Sequence, residues 1–243
     1  MLQMISLLKK KLIKNTLIYY IYRYFKYKLK YFPSYGASGE DVLINRYFEN
    51  KKNGFYVDVG ALHPINGSMT YNLSRMGWKG INLDMMQENL FLFNLFRKKD
   101  INICTAISSS KGEIDAYLFE TGSGLNTNSI EWANKWKKKL GKNFIVRKIK
   151  KEKLNNILDR FNVSKTFELL NIDVEGHELE VLKGMSLGLY KPKLITIEIH
   201  VNKTKDIFQS KVYKFLKKNK YELISQYRQT SFFIPIENLS TLN

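Results

Sequence analysis

The residues best able to do chemistry in this chain are acids placed where apolar runs stop. In "LLNIDVEGHELEVLKG", residues 169–184, an apolar run gives way to Asp173, Glu175, Gly176 and His177, and an amphipathic stretch follows. Asp58 in "GFYVDVG", Asp84 in "KGINLD" and Glu198 with His200 in "PKLITIEIH" repeat the arrangement. A carboxylate at the end of a buried strand needs partners or a task. Acids gathered at strand ends can accept the hydroxyls of a ribose, take a proton, or hold a hard divalent cation. Each also has a plainer reading: Asp58 can cap a turn, Asp84 can cap a helix, and His177 can serve structure alone.

Those acids need a frame. From Gly54 onward, short apolar runs alternate with helix-length segments. "GFYVDVG" (54–60), "KGINLD" (79–84) and "INICTAIS" (101–108) read as strands, with helices in "SMTYNLSRMGW" (68–78) and "QENLFLFNLFRKK" (87–99) between them. The second helix is expected to hide Leu92, Phe93 and Phe96. That order calls for a parallel sheet covered on both faces. "GEIDAYLFE" (112–120) suits an antiparallel addition, followed by a polar loop, "TGSGLNTNS" (121–129). "KLNNILDRF" (153–161) is a helix leading into the strand "FELLNID" (167–173). The helix "HELEVLKG" should bury Leu179 and Leu182 and leave Glu178 and Glu180 in solvent. A strand at 192–200, a helix with Phe208, Val212, Phe215 and Leu216 on one face, and a pair of strands in 221–236 close the chain. Residues 131–153, with Trp132 and Trp136 among many lysines, fit no element by periodicity.

The bulk numbers narrow the class. In 243 residues, 44% hydrophobic and 14% aromatic composition excludes a disordered or fibrous chain. Forty Lys and Arg against 22 Asp and Glu give +18, which suggests nucleic acid or an anionic membrane. Residues 1–39 hold eight of the basic side chains and no acid, leaving 32 minus 22, or +10, for the remainder. The single cysteine, Cys104, cannot form an intramolecular disulfide, so a reducing cytoplasm is expected. No signal-peptide pattern opens the sequence, and lysines interrupt every apolar stretch before the roughly 18–20 residues that span a bilayer. Leu17, Tyr20, Tyr24, Tyr27 and Tyr31 line one helical face with Lys26, Lys28 and Lys30 around it. Such a helix suits a membrane headgroup boundary, or packing on the main domain or a partner. Pro33 and Gly36 end it, giving a basic helical extension at 1–35 and a domain at 36–243.

The loop after the first strand, "VDVGALHPINGS", is not a dinucleotide fingerprint, because His63, Pro64 and Asn66 stand where a pyrophosphate needs glycines. A ligand with a ribose and no diphosphate fits better, and S-adenosylmethionine is the common one.

The chain resembles the FkbM family of S-adenosylmethionine-dependent methyltransferases. The matching stretches are "GEDVLINRYF" (39–48), "GFYVDVGALHP" (54–64), "MGWKGINLD" (76–84), "DINICTAIS" (100–108) and "LLNIDVEGHELEVLKG" (169–184). The resemblance implies an α/β, Rossmann-like class I methyltransferase fold, a mostly parallel seven-stranded sheet with helices on both faces. It implies Asp58, Gly60 and Ala61 in the cofactor loop, Asp84 on the ribose, Asp100 to Ala106 near the adenine, and Asp173 near the methyl-donor end. Glu40 and Asp41 fall where such folds can close over the cofactor. Met85 and Met86 depart from the family pattern, which has a small residue and often proline after the ribose acid.

Methyl transfer to oxygen requires an oriented acceptor and removal of its proton. Asp173, Glu175, Glu198 and His200 are the candidate catalytic groups, with a carboxylate or His200 as general base. Alternatively Asp173 and Glu198, with Glu175, hold Mg²⁺ or Mn²⁺. The expected acceptor is a sugar hydroxyl in a surface polysaccharide or related metabolite, a habit of the family. The expected location is cytoplasmic, or peripheral at the inner face of a membrane. Two other readings stay open at this point: a nucleotide-sugar-dependent glycosyltransferase, for which Asp173-Val174-Glu175 is only a loose acid pair, and a basic nucleic-acid-binding module using residues 131–151.

Overall fold

The computed structural model describes residues 16–28 and 33–242, and the chain divides into two compact units, Met1–Pro33 and Ser34–Asn243. In the first unit the described element is α1 (Leu17–Lys28), on which Leu17, Tyr20 and Tyr24 are exposed. The rest of the tyrosine face, Tyr27 and Tyr31 with Lys26, Lys28 and Lys30, lies outside the residues whose side chains are described.

The second unit is built on a seven-stranded sheet. Its strands are β1 (Phe55–Val59), β2 (Lys79–Asp84) and β3 (Ile101–Cys104), then, beyond a separate small sheet, β7 (Leu169–Ile172), β8 (Leu194–Glu198), β9 (Tyr221–Tyr227) and β10 (Thr230–Pro235). The spatial order is β3-β2-β1-β7-β8-β10-β9. The first five of that order run parallel, and β10 is antiparallel to both β8 and β9. The small sheet, in the order β4-β6-β5, holds β4 (Ala106–Ile107), β5 (Gly112–Leu118) and β6 (Ile145–Glu152). The helices are α2 (Glu40–Tyr47), α3 (Tyr71–Arg75), α4 (Gln87–Phe96), α5 (Ile130–Leu140), α6 (Leu154–Arg160), α7 (Glu178–Lys183) and α8 (Lys211–Lys218).

The parallel strands are buried on both faces, and their alternation sorts side chains into two cores. Val57, Val59, Leu170, Ile172, Ile195 and Ile197 meet Leu154, Ile157, Val181, Leu182 and Leu216 from α6, α7 and α8. Tyr56, Leu169 and Leu194 point the other way, onto Ile44, Leu73 and Trp78. A polar row crosses the sheet on this second side. Thr196 donates to Asn171 (2.7 Å), and Asn171 donates to Asp58 (2.8 Å).

Several expectations need correction. "INICTAIS" is two strands, because the chain leaves the main sheet at Thr105 and Ala106 pairs with Lys151 of β6. Helix α4 turns Leu90 and Phe93 onto Ala61 and leaves Phe96 62% exposed. Phe208 lies in a 3-10 segment, Thr204–Gln209, and is exposed; Leu216 alone of that expected face is fully buried. Glu178 is buried, because its carboxylate accepts the Gly176 N–H (2.9 Å) just ahead of the α7 N-terminus, where backbone donors lack partners.

Candidate active site

Strand order reverses between β2 and β7, on either side of β1, and in open α/β sheets such a point opens a crevice beyond the carboxyl ends of the strands. A cavity of about 300 Å³ lies there. It is lined by Gly60 and Ala61 after β1, Asp84 to Met86 after β2, Ala106 and Ile107, and Asp173 to Glu175 after β7 with Glu198. Ser123, Gly124, Asn126 and Asn128 of the polar loop form another wall.

Asp84 ends β2 with its carboxylate clamped. One oxygen accepts from the Met86 N–H (2.7 Å) and the Asn89 amide (3.0 Å), the other from the Leu62 N–H (2.9 Å). Three of about four acceptor positions are filled, leaving capacity for one more donor from the cavity. Burial raises its pKa against those hydrogen bonds. Met86, where the family pattern breaks, is buried with Ala116 and Leu118 and gives the cavity an apolar wall between the two sheets.

Asp58 borders the cavity and also ties elements together, accepting from Asn171 on one oxygen and from the Thr70 hydroxyl (2.8 Å) on the other. It ties β1 to β7 and to the loop before α3. The backbone of Gly60 has φ +86, and a Cβ there would lie 1.7 Å from the Asp173 carbonyl oxygen, so only glycine permits this approach of the two strand ends. Glu40 is buried at the start of α2, accepts the Ser38 N–H (2.8 Å), and is not among the cavity-lining residues. Asp41 is tied up by Ser34, the Tyr35 N–H and Asn72. Asp100 sits away from the cavity in a buried pair with Arg97 (2.8 Å). His63 accepts the N–H groups of Ile65 and Asn66 and shapes its own loop. His177 contacts the Ser108 hydroxyl (3.1 Å).

Asp173, Glu175, Glu198 and His200 do come together. Asp173 opens onto the cavity, but surrounding protein and the carboxylates of Glu198 and Glu178 push its pKa well above the usual range. Burial, then Glu175, raise Glu198 to about 8. Burial and Asp173 raise Glu175 to about 7. Burial lowers the pKa of His200, whose Nε2 lies 2.7 Å from Glu198 Oε2. Among the described residues, Glu175, Glu198 and His200 form one group whose ligand atoms all lie within 4.8 Å of one another; Asp173 is not part of it. Glu175 holds φ +52, a strained conformation for a residue other than glycine, and Gly176 follows at φ +95.

Sequence reasoning missed the cover of this cluster. Helix α5 lays Trp132 on His200, ring centroids 4.3 Å apart, and against Gly176. The i, i+4 spacing of Trp132 and Trp136 was a legible sign of one helical face, hidden by the flanking lysines.

A nucleoside bearing a cationic sulfonium fits this donor set. A strand-end carboxylate suits the hydroxyls of a ribose, apolar walls suit a base, and grouped carboxyls suit a positive centre. No curated protein matches the chain. Among solved structures, a putative rRNA-methylase from Clostridium thermocellum is 12% identical, covering 84% of this chain and 97% of that one, with a TM-score of 0.41. A putative caffeoyl-CoA O-methyltransferase from Staphylococcus aureus is 11% identical, covering 95% and 96%, also at 0.41. The model of the methyltransferase FkbM domain matches residues 58–223, more than half of the chain. The chain therefore belongs to the FkbM methyltransferase family, and it is an S-adenosylmethionine-dependent methyltransferase.

Proposed function

We propose that the acceptor is a hydroxyl oxygen on a sugar of a surface glycan, and that Asp173, Glu175, Glu198 and His200 prepare it. The observation that carries this reading is the grouping of Glu175, Glu198 and His200, their polar atoms within 4.8 Å of one another beside the cavity, where burial raises Glu175 to about 7 and Glu198 to about 8. Groups poised near neutral pH are the ones able to take a hydroxyl proton. The cofactor supplies a methyl carbon already activated by its sulfonium. The Glu198–His200 pair, 2.7 Å apart, would take the proton that the acceptor hydroxyl loses. Asp173, keeping its own proton, donates a hydrogen bond to the Glu198 carboxylate and so steadies it before it takes the hydroxyl proton. Glu175, Glu198 and His200 are the residues that would hold Mg²⁺ or Mn²⁺, and such an ion would polarise the acceptor oxygen when bound.

Asp173→Asn should lower turnover by about 10²-fold or more with the circular dichroism of the fold retained; wild-type turnover would remove Asp173 from the chemistry. Mass spectrometry of surface glycans from cells with and without the protein tests the acceptor, and identical methylation in both would discard the glycan. Work at the cytoplasmic face of a membrane, with residues 1–35 as a peripheral contact, accords with the basic N-terminal sequence. Among the described residues no helix is long and apolar enough to cross a membrane. Unchanged vesicle partitioning after removal of residues 1–35 would end the idea that they make the contact.

A further inference from the structure

Residues 132–151 contain nine Lys and Arg and no acid. They make up most of α5, the turn after it and most of β6. Among the described residues, Arg147 and Lys148 alone of the nine have a carboxylate within ion-pairing distance, Glu88 at 3.8 Å and Asp115 at 3.1 Å. Around the turn, apolar side chains stand in solvent: Leu140 is 41% exposed, Ile145 63% and Val146 56%. Exposed aliphatic groups among nine cations, seven of them with no carboxylate within ion-pairing distance among the described residues, match the two chemistries of an anionic bilayer surface.

Nucleic acid is the other polyanion to weigh, and the aromatic groups decide against it. Stacking on bases needs open ring faces. Trp132 is turned onto His200 and Gly176, and Lys135 covers it at 3.6 Å. Lys139 covers Trp136 at 4.5 Å. Phe144, the aromatic residue of the turn, is half-buried and packed edge-to-face with Tyr117 and Phe119, ring centroids 5.3 and 5.8 Å away, so the exposed apolar side chains of the turn are aliphatic and cannot stack.

We propose that the turn between α5 and β6 docks the catalytic unit on an anionic lipid bilayer, with Leu140, Ile145 and Val146 entering the headgroup boundary and the surrounding lysines set against lipid phosphates. This surface is separate in sequence from residues 1–35. Because α5 also covers the acid cluster, docking here brings the reaction site to the bilayer, where an acceptor carried on a lipid would be met. The inference concerns membrane contact and stands whether or not the acceptor is a sugar.

The test uses the full chain with Cys104→Ser, and an environment-sensitive fluorophore on Ile145→Cys or, as a control at the opposite end of β8, on Lys191→Cys. Vesicles of 30% phosphatidylglycerol in phosphatidylcholine should shift the position-145 emission to the blue, pure phosphatidylcholine should not, and the position-191 label should stay unchanged. Lys137→Glu, Lys138→Glu and Lys142→Glu together should reduce co-sedimentation with the anionic vesicles at least tenfold, with residues 1–35 intact. S-adenosylhomocysteine affinity should remain within twofold, which separates failure of docking from failure of the enzyme. The proposal is overturned if the protein fails to sediment with anionic vesicles, or sediments with no change at position 145. Wild-type sedimentation by the triple variant also overturns it, as does a position-145 response to poly(U) RNA and not to vesicles.

Discussion

Glu175 and Glu198 are held with raised pKa values, and that has opposite consequences for stability and for catalysis. An unfolded glutamate releases its proton near 4.3, whereas Glu175 and Glu198 hold theirs to about 7 and 8 in the folded protein. Between those values the native state binds more protons than the unfolded one, so stability falls as pH rises, by about 1.4 kcal/mol per pH unit for each proton held. Ligand-free protein should therefore melt at a lower temperature at pH 8.5 than at pH 5.5, and Glu198→Gln should lessen the fall. The kcat/KM should rise across the upper part of the same window as the base ionises, and equal melting slopes in the two proteins would mean that Glu198 does not titrate there. Asp84→Ala should weaken S-adenosylhomocysteine binding by about 1–3 kcal/mol in calorimetry, through lost charge-assisted bonds and looser loops at Leu62 and Met86. These acids were legible because each interrupts an apolar run. Their surroundings were not: Asp58 and Asp84 look alike in sequence, but Asp58 accepts from the side chains of Asn171 and Thr70, whereas Asp84 accepts from the backbone of Leu62 and Met86 on two loops that line the cavity.

Strand ends place the acids proposed to hold the cofactor, and the ends of β7 and β8, covered by α5, place those proposed to react. The parallel core was readable from its apolar runs, since strands buried on both faces must be apolar throughout. "INICTAIS" misled because one unbroken run feeds two sheets, and nothing local marks Thr105 as the crossing point. Residues 131–153 were unreadable for a related reason: α5 and β6 expose most of their length, so neither shows a clean apolar period. The contact between α5 and Gly176 yields a sharp prediction. A Cβ at Gly176 would fall 1.4 Å from Trp132 Cδ1, at a φ of +95 that side chains avoid. Gly176→Ala should cost about 2 kcal/mol or more and, by pushing α5 off His200, cut turnover further than the stability loss explains. Gly67→Ala has a positive φ and no neighbour within 4 Å, so it should cost about 1 kcal/mol. Thermal melts and kcat measured side by side check the pair, and equal effects would count against the α5 contact.

The charge of +18 is concentrated. Residues 1–39 carry eight basic side chains and residues 132–151 nine, with no acid in either segment, so the rest of the chain has 23 basic against 22 acidic residues. The body that holds the cavity is thus close to neutral, and the excess sits on two segments of which Ala37 alone lines the cavity. Net charge spread evenly would speak only to solubility; confined in this way it speaks to a surface. Every residue lining the cavity lies between Ala37 and Glu198, inside the unit that begins at Ser34. Removing residues 1–33 should therefore leave S-adenosylhomocysteine affinity within twofold while lowering the formal charge by eight. The same truncation should make partitioning onto anionic vesicles weaker and more sensitive to salt, because the contact left behind at α5 and β6 is largely electrostatic. Calorimetry on the truncated and full chains at two salt concentrations decides it. A tenfold loss of cofactor affinity would mean that the first 33 residues help build the site.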